Sequence, residues 1–476
     1  MNNMEPKEDS DLLRANKTSI LKSRNGNEST DTDPADGGFR AYSVMVGSFL
    51  TNGLLFGVIN SYSVVYTVLL NRLKEENIPN PDSRAALAGT LTMGTTFLLS
   101  PLSGLLTGLM GLRLTAVLGG SIAALGLLIS SFFVDYINVL CFTYGIMYGL
   151  GASLAYTPSL AILGHYFKKH LSIVNGVVTV GSSVFTVIMS SLMEYMIKNH
   201  GLQWMFRLLS LFAIGIALCG LLFKPTQLIV IEKPSRDDNS FKTLIKKVID
   251  VRIWKNTKYT RWALSMPVAL FGYFVPYVHI KEFITQNFVG VDNNLPLQCI
   301  AAASGAGRLI FGFLGGLKGM DRILLQQISF YIIGVLTIIL PFVGSFTLLV
   351  VISLGMGIFD GAFIALIGPI AIELCGTAYA AQAIGCMLGI AAFPVSLGPP
   401  IAAYLYTLHN SYTLPFVLAG ISPLVGATLM FTIRLRKREY SDPTETTANG
   451  HVSLVSADPE TIFTSDTAKN VKTFHR

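Results

Sequence analysis

The residues best suited to chemistry in this sequence are two opposite charges in apolar surroundings. Arg308 stands eleven residues beyond Leu297, where one apolar run begins, and Asp360 about a dozen beyond Leu348, in the stretch GMGIFDGAF. At a rise of about 1.5 Å per residue, both fall near the middle of a helix long enough to cross a bilayer. A charge at that depth costs roughly 3 kcal/mol or more unless it meets a partner or water, which makes each a candidate for function. Arg308 offers a permanently charged fork of donors suited to a carboxylate, and Asp360 can orient that arginine or meet an amine. The same two residues would equally serve as a structural pair that fixes two helices.

Around them stand weaker candidates. His279 ends the run GYFVPYVH, where an imidazole near the outer end of a cavity would donate to a carboxylate or phenol; a satisfied interface histidine is the alternative. Tyr273, Phe274, Tyr277, Phe359 and Phe363 supply rings that can stack on an aromatic ligand, although most aromatic residues in such runs face lipid or core. No Walker loop, no HExxH and no nucleophile beside a base is present, and Gly149-Leu150-Gly151 lies inside an apolar run with no strand around it. The expectation is therefore a non-enzyme with no catalytic residue, no metal and no cofactor. Cys141, Cys219, Cys299, Cys375 and Cys386 lie in or beside apolar stretches without metal-ligand spacing, and read as small packing residues. The N-x-S/T matches at Asn16 and Asn27 fall in a polar tail and read as chance.

These residues need spans to hold them. Of 476 residues, 51% are hydrophobic and only 13% charged, against about a quarter charged in soluble domains. Mean hydropathy is +0.55. Apolar runs of about twenty residues, the length that a hydrocarbon core of roughly 30 Å requires, cover 41–70, 85–107, 114–134, 139–166, 171–197 and 204–223. They resume at 262–280, 297–317, 323–343, 348–374, 380–408 and 414–433. This pattern predicts an N-terminal tail (1–41), a six-helix half (42–223), a central loop with a surface helix (224–261), a second six-helix half (262–434) and a disordered tail (435–476). Most of the 35 Lys and Arg lie in the tails and in connections after even-numbered spans, including Arg113, Lys168, Lys169, Lys318 and Arg322. That bias places both termini in the cytoplasm and accounts for the net charge of +7 without nucleic acid. PLSGLLTGLMGLRLTAVLGG, from Pro101, resembles RLIFGFLGGLKGMDRILLQQ, from Arg308, and parallel six-helix repeats are how the major facilitator fold is built. The expected fold class is an all-α membrane protein with the major facilitator fold, twelve transmembrane helices in two halves. Glycine and proline within YGIMYGLGASLAYTP and GIAAFPVSLGPP suit close helix contact and bending in a carrier that rocks.

From about Gly37 to Arg438 the chain resembles the monocarboxylate transporter family, nearest to its aromatic amino acid and thyroid hormone branch. The resemblance rests on PSLAILGHYFKKHLSIVNGVVTVGSSVF from Pro158, ALFGYFVPYVH from Ala269, SGAGRLIFG from Ser304, FDGAF from Phe359, PIAIEL from Pro369 and QAIG from Gln382. It implies a cell-membrane carrier of a small carboxylate or aromatic substrate, working by proton-independent facilitated diffusion with lipid as its surroundings. In that branch Arg308 and Asp360 match a charge pair important to transport, and His279 matches a histidine implicated in substrate recognition. Proton-coupled members bear a lysine and an aspartate where this chain has Asn60 and Ser304, so the usual proton-loading site is missing, and Asn60 at that helix-one position is an expected substrate-binding residue. Ile59 stands where the branch carries His or Gln and inherits no ligand role. Other departures are DGGFRA from Asp36, where the family places tryptophans around a glycine, and Gly108, where the superfamily's cytoplasmic motif has Asp. Gly111 and Arg113 of that motif remain, and with Lys168 and Lys169 they are the expected gating residues. A proton-coupled lactate or pyruvate carrier using His279 or Asp360 is the alternative, and a non-transporting receptor on the same fold a remoter one. A single-span accessory glycoprotein accompanies some members of the family, and no residue here predicts one.

Overall fold

Backbone amides in hydrocarbon must be bonded within their own segment, so long apolar runs form helices. The computed structural model of the chain describes residues 36–79, 81–225 and 251–433 and follows that rule. Most of both tails, Asn16 and Asn27, and much of the central loop lie outside the described residues. The first elements are α1 (Phe39–Asn60), α2 (Tyr62–Glu75), α3 (Pro81–Leu98), α4 (Ser100–Met110), α5 (Leu112–Phe132) and α6 (Ile137–His165). The stretch Leu171–Gly220 breaks at Gly201 (φ 84°, ψ 171°) into α7 (171–200) and α8 (202–220). After α9 (Val251–Lys255) come α10 (Thr257–Leu270), α11 (Val275–Asn287), α12 (Leu295–Leu314) and α13 (Arg322–Ile339). The stretch Phe346–His409 breaks at Gly376 (φ 76°, ψ 167°) into α14 (346–375) and α15 (377–409), and α16 (Thr413–Met430) follows. Both breaks use a left-handed φ that glycine adopts without steric cost.

Among the described residues nine stretches are long and apolar enough to cross a bilayer, and α3 with α4, bent by 45°, makes a tenth. Each glycine-broken stretch has room for two crossings, and counting them so yields the expected twelve. Successive crossings then alternate in direction. Call near the side that holds Asp36 and the loops at 111, 166–170, 315–321 and 376, and far the side that holds 76–79, 133–136, 201 and 288–294. Large apolar side chains such as Leu114, Phe132, Val187, Leu211 and Leu218 are exposed, a surface that requires lipid as its solvent.

The helices before α9 and those after it meet near the near side through small residues. A Cβ added at Gly385 of α15 would lie 2.2 Å from the Ser100 carbonyl oxygen of α4, and one at Gly104 of α4 2.7 Å from Gln382 Cα. On the other flank a Cβ at Gly176 of α7 would lie 2.5 Å from the Arg308 carbonyl oxygen and 3.0 Å from Gly312 Cα of α12. Such approaches are how helices associate where lipid removes the hydrophobic incentive. At the far side α2 packs on α1, α3 and the 171–220 stretch, and α11 on α12, the 346–409 stretch and α16, each with elements of its own half. The near side is closed.

Candidate functional site

The site begins where α12 and α14 touch. A Cβ at Gly307 would lie 2.1 Å from the Ile358 carbonyl oxygen, and one at Gly361 2.4 Å from that of Ser304. Backbone contact this close sets Arg308 and Asp360 side by side at one level, as their depths in the sequence predict. Both are buried, with 7% and 6% of their surface exposed. The expected ion pair is nevertheless absent: no salt bridge joins them. Asp360 Oδ2 instead accepts from the Ser304 hydroxyl, and Arg308 Nη1 donates to the Thr179 carbonyl and the Ser182 hydroxyl of α7. The reason is geometric. Ser304 and Arg308 are one turn apart on α12, so the short serine meets the carboxylate while the long arginine stem carries its head across to α7. Arg308 Nε remains buried without a partner.

Rings surround this guanidinium. Tyr156 of α6 and Tyr277 of α11 lie near enough to interact electrostatically with it. Tyr277 stacks on Tyr273 at 5.4 Å between ring centres and Phe274 lies 5.7 Å from it; Phe363 meets Tyr273 edge-on at 5.5 Å. From the other half, Phe56 of α1 meets Tyr156 edge-on at 4.9 Å. The Tyr273 and Tyr277 hydroxyls are buried without partners, an arrangement that favours a ligand with polar groups along an aromatic body. Phe359 packs on Phe311 at 5.5 Å instead of joining the Tyr273 group.

Other expected residues are placed elsewhere. His279 Nε2 lies 3.0 Å from the Pro399 carbonyl oxygen, and its ring lies 5.7 Å from Tyr412. A carbonyl only accepts, so Nε2 carries the proton here, and His279 ties α11 to α15. Asn60, exposed at the end of α1, donates to Thr186 Oγ1 at 3.1 Å, while Ile59 beside it is buried. Gly111 (φ 87°) makes the turn between α4 and α5, and Arg113 is exposed.

Lys168 and Lys169 act on the near side through their backbone, within the first half. Their N–H groups donate to Asp36 Oδ1 at 2.7 and 2.9 Å, and His170 N–H does so at 3.3 Å. Desolvation pushes the Asp36 carboxyl up, but the N–H groups of Lys169, Lys168 and His170 outweigh it and hold it below the usual carboxylate range. The start of α1 is thereby clamped to the entry of α7. In the second half Asp321 caps α13 by accepting from Leu324 N–H at 3.0 Å, and Arg322 pairs with Glu373 at 2.7 Å. The first repeat, with Gly108, has no such acid.

Sequence reasoning missed Thr179, Ser182, Tyr156 and Asp36 as site residues, although all four lie inside stretches singled out for other reasons. Small hydroxyls in apolar helices carry almost no signal, because they are commonly satisfied by their own helix.

Residues 44–343 match the family model described as Major Facilitator Superfamily. The chain is 40% identical over 424 residues to Monocarboxylate transporter 10 of Danio rerio, covering 87% of this chain and 83% of that protein. Against Monocarboxylate transporter 10 of Homo sapiens it is 37% identical over 441 residues, covering 90% and 85%. In structure it resembles the human organic anion transporter MFSD10 with a TM-score of 0.68 at 14% identity, over 82% of this chain and 99% of that one.

Proposed function

We propose, since this chain belongs to the major facilitator superfamily and within it to the monocarboxylate transporters, that it carries aromatic amino acids or iodothyronines across the cell membrane by proton-independent facilitated diffusion. The observation that carries the substrate class is the buried Arg308 guanidinium, with Nε unpartnered, between the Tyr156 side and the Tyr273–Tyr277–Phe363 group. A carboxylate suits the unpartnered edge of that fork, and an aromatic body suits the rings. Asp360 on Ser304 and Asn60 at the far end of α1 are polar groups that can meet an amine or phenol. His279 acts here through the packing of α11 on Pro399. Alternating access requires the near-side seam to open as the far side closes, with Gly111, Arg113, Lys168 and Lys169 at the near-side turns. The excess of Lys and Arg makes the near side cytoplasmic.

Asn60 and Ser304 where proton-coupled members have Lys and Asp favour facilitated transport. One observation favours the second reading, a proton-coupled lactate or pyruvate carrier: Asp360 is a buried carboxyl with no ion pair, and a group so placed can take up a proton. Uptake of labelled tryptophan, triiodothyronine and lactate at acid and neutral pH, with Arg308→Ala alongside, separates the two. Aromatic uptake indifferent to pH and lost in the variant supports the first; lactate uptake that rises at acid pH supports the second and sinks the first.

A further inference from the structure

Arg308 belongs to α12, yet its hydrogen bonds cross to the other half. Nη1 donates to the Thr179 carbonyl and the Ser182 hydroxyl, acceptors three residues apart on one face of α7. One turn nearer the near side, Asn175 Nδ2 donates to the Ala365 carbonyl of α14 at 2.7 Å, and Gly176 closes on the Arg308 carbonyl and Gly312. Hydrogen bonds thus fasten α7 to α12 and α14 along a seam that starts in the near-side closure. Any rotation that opens the near side pulls this seam apart, and Thr179 and Ser182 leave with α7. Arg308 then keeps its charge in a low-dielectric interior after losing the oxygens that satisfied it.

We propose that Ser182 is the resting partner of Arg308: its hydroxyl, with the Thr179 carbonyl, takes the place of an anion on the guanidinium and holds the empty carrier closed on the near side and open on the far side. This rests on the carrier reading above, not on the identity of the substrate. Nε, buried and unpartnered on the same guanidinium, is not engaged by the seam, so one donor remains for an acceptor that parts the side chains covering it. A carboxylate that satisfies Arg308 from within its own half removes the penalty for withdrawing α7, and opening of the near side follows as a shift of population. Ser182 is a positioning residue in this scheme.

Two cysteine reporters read the state of the empty, full-length carrier in membranes without substrate. Asn60→Cys is exposed at the far end of α1, and Ser172→Cys replaces a fully buried serine of the seam whose hydroxyl has no partner. Labelling by a small thiol reagent is taken above that of the parent chain with its five native cysteines. Ser182→Ala is expected to slow labelling at position 60 and speed it at position 172, each by about tenfold. Ser182→Thr, which keeps a hydroxyl, is expected to restore both. Should Ser182→Ala fail to reach the membrane, Ser182→Gly, which also removes the hydroxyl and adds no thiol, is read in the same way. Unchanged labelling at both positions overturns the proposal, and so does an equal shift from Ser182→Thr, because the hydroxyl would then not be the cause. Failure of the wild-type chain to take up tryptophan or triiodothyronine overturns the substrate assignment and leaves the labelling result standing.

Discussion

Tyr277 presents a phenol whose hydroxyl is buried without a partner beside Arg308. Removing such a hydroxyl breaks no hydrogen bond in the empty protein. Tyr277→Phe should therefore reach the surface in normal amount, and if the phenol meets substrate, KM for the aromatic substrate should rise about two- to tenfold. Initial rates at several concentrations test this; an unchanged KM would remove Tyr277 from the site. Arg308→Lys makes the complementary demand. Lysine keeps the charge but offers one compact ammonium, which cannot serve both the α7 oxygens and an acceptor at the other edge of the fork. Uptake per surface molecule should fall about tenfold or more, and a lysine variant as active as the wild type would show that charge alone suffices.

Glycines at helix contacts divide into those that admit no side chain and those that do. A Cβ at Gly385 would sit 2.2 Å from the Ser100 carbonyl oxygen, a backbone atom that cannot rotate away, whereas one at Gly94 meets nothing within 4 Å. Gly385→Leu should keep the α4–α15 seam from closing while each half still packs on itself, lowering net uptake about tenfold or more at normal surface level. Gly94→Ala should leave uptake within about twofold and stabilise α3 by about 0.5–1 kcal/mol. The pair is read by surface labelling and uptake together. Loss of surface protein in Gly385→Leu would show instead that the seam is needed for folding.

Across the whole bundle the near side is closed by small residues where the two sets of helices meet, while the Asp36 clamp braces α1 on α7 within the first half, and that clamp bears on pH. The Asp36 carboxyl is lowered in the folded chain, so its contribution is present above the unfolded carboxylate value, near 3.9, and is lost as pH falls through the lower folded value. The clamp is thus intact throughout the physiological range and lends transport no pH dependence there. Rates between pH 6 and 7.5 should agree within about twofold under the facilitated reading, and a steep change would point to another group, Asp360 first. Asp36→Ala removes the clamp at every pH and should lower the melting midpoint of the detergent-solubilised carrier by about 2 °C, since capping interactions contribute about 1 kcal/mol.

The helical spans and the shared level of Arg308 and Asp360 are legible in hydropathy, because a span's helicity follows from its own backbone and not from its neighbours. The aromatic group at Tyr273 and Tyr277 was equally legible, being local to one run. Partner choice was not. Arg308 meets Thr179 and Ser182 across separations of 129 and 126 residues, and Ser304 reaches Asp360 across 56. Opposite charges at matching depth suggested a pair, yet a serine one turn away and the length of the arginine stem divided it between two helices. Phe359 and His279 pack on Phe311 and Pro399 for the same reason. A one-dimensional pattern states what each helix carries and how deep. Which faces meet is set by glycines that let particular backbones approach within van der Waals contact, and that appears once the helices are packed.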